Sequence, residues 1–231
     1  MAMLIAAACV FLGIHLLISG TRLRDGIVGR IGEQAYLGAF SLSSLAAIIW
    51  LCIAFNRAST SADNVALFDL GAGFRSFAIP VVAFAFFLAV PGILAPNPTS
   101  VGQTGVTIRG ALRITRHPFL WGVAIWSGFH LAGSVMLASV IFFATFLVLA
   151  LIGTRAIDAK YRRKRPQDWQ TLAAQTSNIP FGAIVAGRTR FSAREYFDWR
   201  FLAAVLLFGA FLLGHSTLFG LSPFPNGWMP F

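Results

Sequence analysis

Charge is scarce in this chain. Only 11% of its 231 residues are Asp, Glu, Lys or Arg, against about 25% in an average soluble domain, while 57% belong to the hydrophobic set. So apolar a chain is neither disordered nor, over its whole length, a water-soluble fold. Two cysteines, Cys9 and Cys52, exclude a disulfide scaffold. Acidic residues are rarer still, eight against eighteen basic ones, giving a formal charge of +10. In a soluble protein that excess would suggest nucleic acid. Here the basic residues lie between apolar blocks that leave no room for a soluble reading domain, so no nucleic-acid partner is expected. The expected partner of the positive charge is a lipid bilayer with anionic headgroups.

What is present is a series of long apolar runs. A hydrocarbon core of about 30 Å takes roughly 20 helical residues, and six runs come close: 2–19, 35–55, 76–95, 118–132, 135–154 and 201–220. They are continuously apolar, so helices and not barrel strands are expected to satisfy the backbone in lipid. The fourth run is short and abuts the fifth at Gly133-Ser134, which predicts a tight hairpin. No Lys or Arg precedes the first run, as it would in a secretory signal, so that run is expected to stay as a mature helix. The expected fold is an all-α integral membrane protein, about six transmembrane helices in one bundle, forming a single domain over 1–231.

Of the eighteen basic residues, sixteen follow runs one, three and five and two follow run two. The positive-inside rule then places the N- and C-termini outside and a basic loop, 155–200, in the cytoplasm, where its bland role is an anchor on headgroups.

Ionisable groups inside a span are costly and mark function. The runs contain no Asp, Glu, Lys or Arg; they contain His15, His130 and His215, with His117 at the mouth of run four. Without intramembrane carboxylates there is no acid/base pair, no carboxylate proton relay and no oxygen cage for Mg²⁺ or Ca²⁺. Neutral imidazoles in an apolar slot suit a softer metal, and an iron porphyrin is a flat, apolar carrier of one; Zn lacks the four ligands it usually needs. Each histidine alone is also explained as a hydrogen bond between helices. Gly122, Trp126 and His130 recur every four residues and share one helical stripe, where a glycine above a tryptophan leaves a shelf; plain helix packing explains them equally. Pro118 suits a first helical turn and sets Arg116 and His117 at the membrane boundary, where they can bind a haem propionate, hold a lipid headgroup, or only fix topology.

The segments Phe11-Leu12-Gly13-Ile14-His15, Arg30-Ile31-Gly32-Glu33, Arg113-Ile114-Thr115-Arg116-His117-Pro118, Trp126-Ser127-Gly128-Phe129-His130 and Ser177-Asn178-Ile179-Pro180-Phe181 together resemble the NnrU family. That family includes bacterial membrane proteins linked to denitrification and the plant 15-cis-zeta-carotene isomerase. The resemblance implies haem b held between two transmembrane histidines that fall on His15 and His130, which would bind the iron. It implies either isomerisation of a lipid-soluble polyene or a non-enzymatic haem, electron-transfer or assembly role in denitrification beside a membrane partner protein. The implied location is the bacterial inner membrane. Where the plant enzyme has a cysteine before its second ligand, this chain has Ser127, and a hydroxyl is a poor substitute for a thiolate.

A third class, membrane methyltransferases with an RHP motif, would normally show paired Glu after that motif, where this chain has only Asp158. By residue count, His15 and His130 differ in depth by roughly 10 Å, a gap that helix tilt must close; otherwise His15 with His117 is the alternative pair.

Overall fold

The computed structural model describes residues 1–97 and 107–224. Among these the chain is helical, with one isolated bridge between Ala66 and Met136. The long helices are α1 (Ala2–Leu12), continued by a π-helical stretch (Gly13–Ser19), then α3 (Glu33–Ser59), α5 (Ala78–Leu94), α7 (Pro118–Gly133), α8 (Leu137–Lys164) and α12 (Trp199–Phe219). Shorter ones are α2 (Arg22–Ile31), α4 (Gly71–Arg75), α6 (Ala111–Ile114), α9 (Pro166–Gln175), α10 (Gly182–Val185) and α11 (Ala193–Tyr196).

All six apolar runs fold as helix. Five helical segments are long and apolar enough to cross a membrane: Ala2–Ser19, Glu33–Ser59, Gly73–Leu94, Leu137–Lys164 and Trp199–Phe219. The exception is α7, whose 16 residues rise about 24 Å. The C-terminus lies outside the described residues.

The segment 155–200, expected as a basic loop, contains helices. Helix α8 continues through Lys164, its last turn carrying Arg162, Arg163 and Lys164, where cations complement the helix dipole. Pro166 then opens α9 at a position where the missing N–H costs nothing.

The chain divides into two compact units, residues 1–69 with 130–160, and residues 70–129 with 161–231. In the first, α1, α3 and α8 pack through Leu4, Leu51 and the alanines Ala7, Ala8, Ala47, Ala54 and Ala138, the alanines being small side chains that let helix backbones approach where water supplies no drive. One end of this unit is tied by polar contacts. The Ala138 amide donates to Asn64 Oδ1 at 2.9 Å, and the Leu67 and Leu137 amides donate to Val135 and Val65 carbonyls.

In the second unit α5 packs on α12 through Phe86, Phe87, Phe201, Phe208 and Phe211. Pro91, inside α5, cannot donate to the Phe87 carbonyl one turn earlier. The Tyr196 hydroxyl donates there instead, at 2.7 Å. Asp198 caps α12 by accepting from the Arg200 and Phe201 amides, the expected role of an aspartate at that position.

Candidate functional site

His15 lies in the first unit on the π-helical stretch Gly13–Ser19, a local geometry that recurs at functional positions. Its Nδ1 is 2.8 Å from the Phe11 carbonyl. A carbonyl can only accept, so in the neutral ring Nδ1 carries the proton and Nε2 keeps the lone pair. Nε2 stands 3.5 Å from the Ser44 hydroxyl. Phe11 and Phe40 flank the ring at centroid distances of 4.5 and 5.4 Å. A backbone carbonyl that fixes the tautomer and tilt of an imidazole in this way is the arrangement found behind metal-binding histidines.

His130, in the last turn of α7, faces Phe143 at 4.9 Å. From His15 the rings of Phe11, Phe146, Phe142 and Phe143 lead to it in steps of 4.5 to 5.6 Å. Both imidazoles belong to one aromatic cluster, at different levels. Helix α3 serves as a ruler, because Ser44 stands beside His15 and Phe55 beside Phe142. The stretch of α3 from Ser44 to Phe55 rises about 16 Å, so the ring chain from His15 to Phe142 runs along that length of α3.

The second unit holds a different construction. Two segments far apart in sequence, 113–118 and 176–181, close on each other through backbone and side-chain bonds. The Arg116 amide donates to the Ser177 carbonyl at 3.0 Å and the Phe181 amide to the Ile114 carbonyl at 2.7 Å. The Thr115 hydroxyl donates to the Asn178 carbonyl at 2.5 Å, and Trp121 Nε1 to Asn178 Oδ1 at 3.2 Å. Phe181 takes a left-handed conformation, φ 63°, uncommon for a side chain of its size and held by this pairing.

Beside this clasp, Arg113 donates to both oxygens of Glu195 at 2.7 and 2.9 Å, and Glu195 also accepts from the Gly110 amide. The two hydrogen bonds from Arg113 hold the Glu195 carboxyl below the usual carboxylate range, against the opposing effect of burial. The same bonds raise Arg113. Burial pushes the Tyr196 phenol up to about 12. A nearby cleft bounded by Pro91, Asn97, Arg109, Glu195 and Arg200 holds about 30 Å³, room for water and not for a macrocycle.

A family model described as NnrU protein matches residues 3–223. The chain belongs to the NnrU family. No curated protein and no solved structure matches it.

In this NnrU protein the residues expected at one site are distributed. His15 and His130 share the first unit and its ring cluster. Gly122 leaves no shelf: a Cβ there would lie 2.5 Å from the Ala85 carbonyl oxygen and 2.7 Å from the Ala89 Cβ, so the glycine is where α7 touches α5. Trp126 is half-buried on α7. Arg116 is buried, with its guanidinium donating to the Thr176 carbonyl and hydroxyl and stacking 4.9 Å over Trp169. His117 is 3% exposed, and its amide donates to the Thr115 hydroxyl. These engagements make the RHP segment part of the NnrU clasp. His215 is bonded through Nδ1 to the Leu221 carbonyl, and Ser127 donates to the Val123 carbonyl of its own helix at 2.6 Å. Among the described residues no three His, Cys, Asp or Glu side chains gather as a metal cluster.

Sequence reasoning missed Tyr36. It is 4% exposed, and its hydroxyl is buried without a hydrogen-bond partner. The available signal was its spacing: Tyr36, Phe40 and Ser44 recur every four residues, one stripe of α3.

Proposed function

We propose that this NnrU protein binds haem b within the bacterial inner membrane, with His15 and His130 as the iron ligands. The observation that carries the reading is the His15 imidazole, anchored through Nδ1 to the Phe11 carbonyl with Nε2 turned toward Ser44. The donor chemistry fits a haem iron, which one or two imidazoles complete. The family resemblance supports His130. When bound, such a haem supplies an iron that can exchange electron density with a conjugated chain.

The activity we assign is cis–trans isomerisation of a lipid-soluble polyene. The chain's own part is to hold Nε2 in place, to keep water out with Phe11 and Phe40, and to offer no carboxylate within the apolar runs that would protonate the polyene. The distribution of basic residues supports a topology with both termini outside.

Absorption spectra of the detergent-purified protein test the ligands. His15→Ala should lose the haem, His130→Ala should keep it with a changed coordination spectrum, and His215→Ala should match wild type. Unchanged spectra in both ligand variants would remove the assignment. Reduced, haem-loaded protein should convert a 15-cis polyene such as zeta-carotene, and oxidised protein should not.

Ser127, bonded to its own helix where the plant enzyme has a thiol, favours a second reading: a non-enzymatic haem module serving denitrification through a membrane partner protein. Haem-loaded, reduced protein that leaves the polyene unconverted would select it.

A further inference from the structure

The second unit carries a surface that haem binding would not use. Between the clasp and α12, the segment 179–199 leaves six large apolar side chains outward: Ile179, Phe181, Val185, Phe191, Phe197 and Trp199. Val185 is 86% exposed and Ile179 67%. A contiguous apolar patch of this kind marks a partner or a membrane. Its backbone is held firmly from behind. The Phe181 amide donates to the Ile114 carbonyl and the Ala183 amide to the Ser177 hydroxyl at 2.9 Å. Arg113 donates to the Thr189 hydroxyl at 3.1 Å as well as to Glu195. The exposed side chains therefore stand on a rigid mount, which also sustains the left-handed Phe181.

The end of the segment sets its depth. Trp199 opens α12, a helix long and apolar enough to cross a membrane. Arg200 Nε donates at 3.3 Å to the carbonyl of Leu94, the last residue of α5. One candidate span thus ends where another begins, beside residues 199 and 200. The Arg200 guanidinium lies 5.0 Å over the Trp199 ring, and tryptophan and arginine at such a border belong to headgroup level. Charge then selects the lipid. Residues 161–200 hold eight Arg or Lys against three acidic residues. Two of those three are committed within the fold, Glu195 to Arg113 and Asp198 to Arg200. Arg190 and Arg194 are exposed and have no carboxylate partner among the described residues.

We propose that 179–199 is a membrane-docking face whose occupant is the anionic phospholipid of the leaflet that α12 enters. Val185, Phe191 and their apolar neighbours dip among the upper acyl chains, and Arg190 and Arg194 meet the phosphates. The clasp is the mount that holds this face at the headgroup boundary. The assignment stands whether or not the protein binds haem.

Quenching by brominated lipid tests it. Full-length protein carrying Cys9→Ser and Cys52→Ser receives one fluorophore through Val185→Cys or, separately, through Phe191→Cys. It is reconstituted in nanodiscs of phosphatidylcholine and phosphatidylglycerol, with one or the other lipid brominated, so that quenching reports the relative association of the two lipids at the label. Phosphatidylglycerol should be favoured about fivefold at low salt, the scale of one basic residue at an anionic surface. The preference should fall toward unity in about 1 M salt, where the screening length is about 3 Å. Arg190→Gln with Arg194→Gln should abolish it while the melting midpoint stays near that of the parent protein. The salt arm tests the charge claim even where the double variant is unstable. No quenching by either lipid at both positions would take the face out of the membrane and overturn the proposal. Equal quenching by both lipids, a preference that survives high salt, or a folded double variant that retains it would overturn the anionic assignment.

Discussion

The Thr115 hydroxyl and the Asn178 carbonyl, 63 positions apart in sequence, meet at 2.5 Å. With the Arg116 and Phe181 amides paired alongside, they fasten the segment after α9 to the start of α7. Removing the hydroxyl strands a carbonyl in a buried place, a loss of about 1–3 kcal/mol. Thr115→Val should therefore lower the thermal midpoint of the detergent-solubilised protein, read by tryptophan fluorescence, while Thr115→Ser should stay near wild type. Equal midpoints for Val and wild type would mean the bond contributes nothing.

Close approach of α7 to α5 makes two glycines intolerant of side chains. At Gly92 a Cβ would sit 2.5 Å from the Phe119 amide nitrogen, and at Gly122 it would sit 2.5 Å from the Ala85 carbonyl oxygen. In both places the obstacle includes backbone, which cannot rotate away. Gly92→Ala and Gly122→Ala are each expected to cost about 1–3 kcal/mol or more, visible as a lower melting midpoint. Gly209→Ala, where a Cβ meets nothing within 4 Å, is the control and should be neutral. A Gly122→Ala protein as stable as that control would remove the packing role.

Acid should open the Arg113–Glu195 pair. The folded-state carboxyl lies below its ordinary value of 4.5, chiefly through the Arg113 hydrogen bonds. A depressed pKa means that the unfolded chain binds the proton more readily, so the pair's stabilisation is complete above the unfolded pKa and is lost as pH falls through the folded one. Wild type should lose thermal stability on going from about pH 6 to below about 4.5, and Glu195→Gln should lose less over the same window because it carries no titrating group there. Parallel curves would show that the pair does not couple to folding.

How much of this was legible in the sequence differs between the two constructions. The apolar runs declared their helices because hydrocarbon-length composition is a property of the chain itself. His15 and His130 were legible for the same reason, as polar exceptions in apolar runs. The clasp was not, because the pairings of Arg116 with Ser177 and of Phe181 with Ile114 use backbone groups that every residue carries. Arg188, counted as a headgroup anchor, donates to the Ala173 and Thr176 carbonyls at the end of α9; charge alone could not tell these uses apart. Gly122 was ambiguous in another way. Its spacing from Trp126 fits a ligand shelf and a helix crossing equally, and only the distance to Ala85 decides.

Topology turns on α7. Its 16 residues rise about 24 Å, short of a core of about 30 Å, while the five longer segments are long and apolar enough to cross. If α7 also crosses, the number of crossings is even and the two ends share a side; if it does not, they lie on opposite sides. The loops after runs one, three and five carry nearly all the arginine and lysine, and this alternation is kept only when α7 counts as a crossing. Bilayers thin, and flanking side chains reach outward, to accommodate a short helix at a modest cost; that is smaller than the penalty of exposing the arginine-rich segment after run five to the wrong face. Both ends are therefore expected outside. A reporter that matures only in the periplasm should be active when fused after Phe231, and an epitope placed before Met1 should be reached by antibody in intact spheroplasts. An inactive C-terminal reporter together with an accessible N-terminal epitope would show five crossings and leave α7 on one side of the membrane.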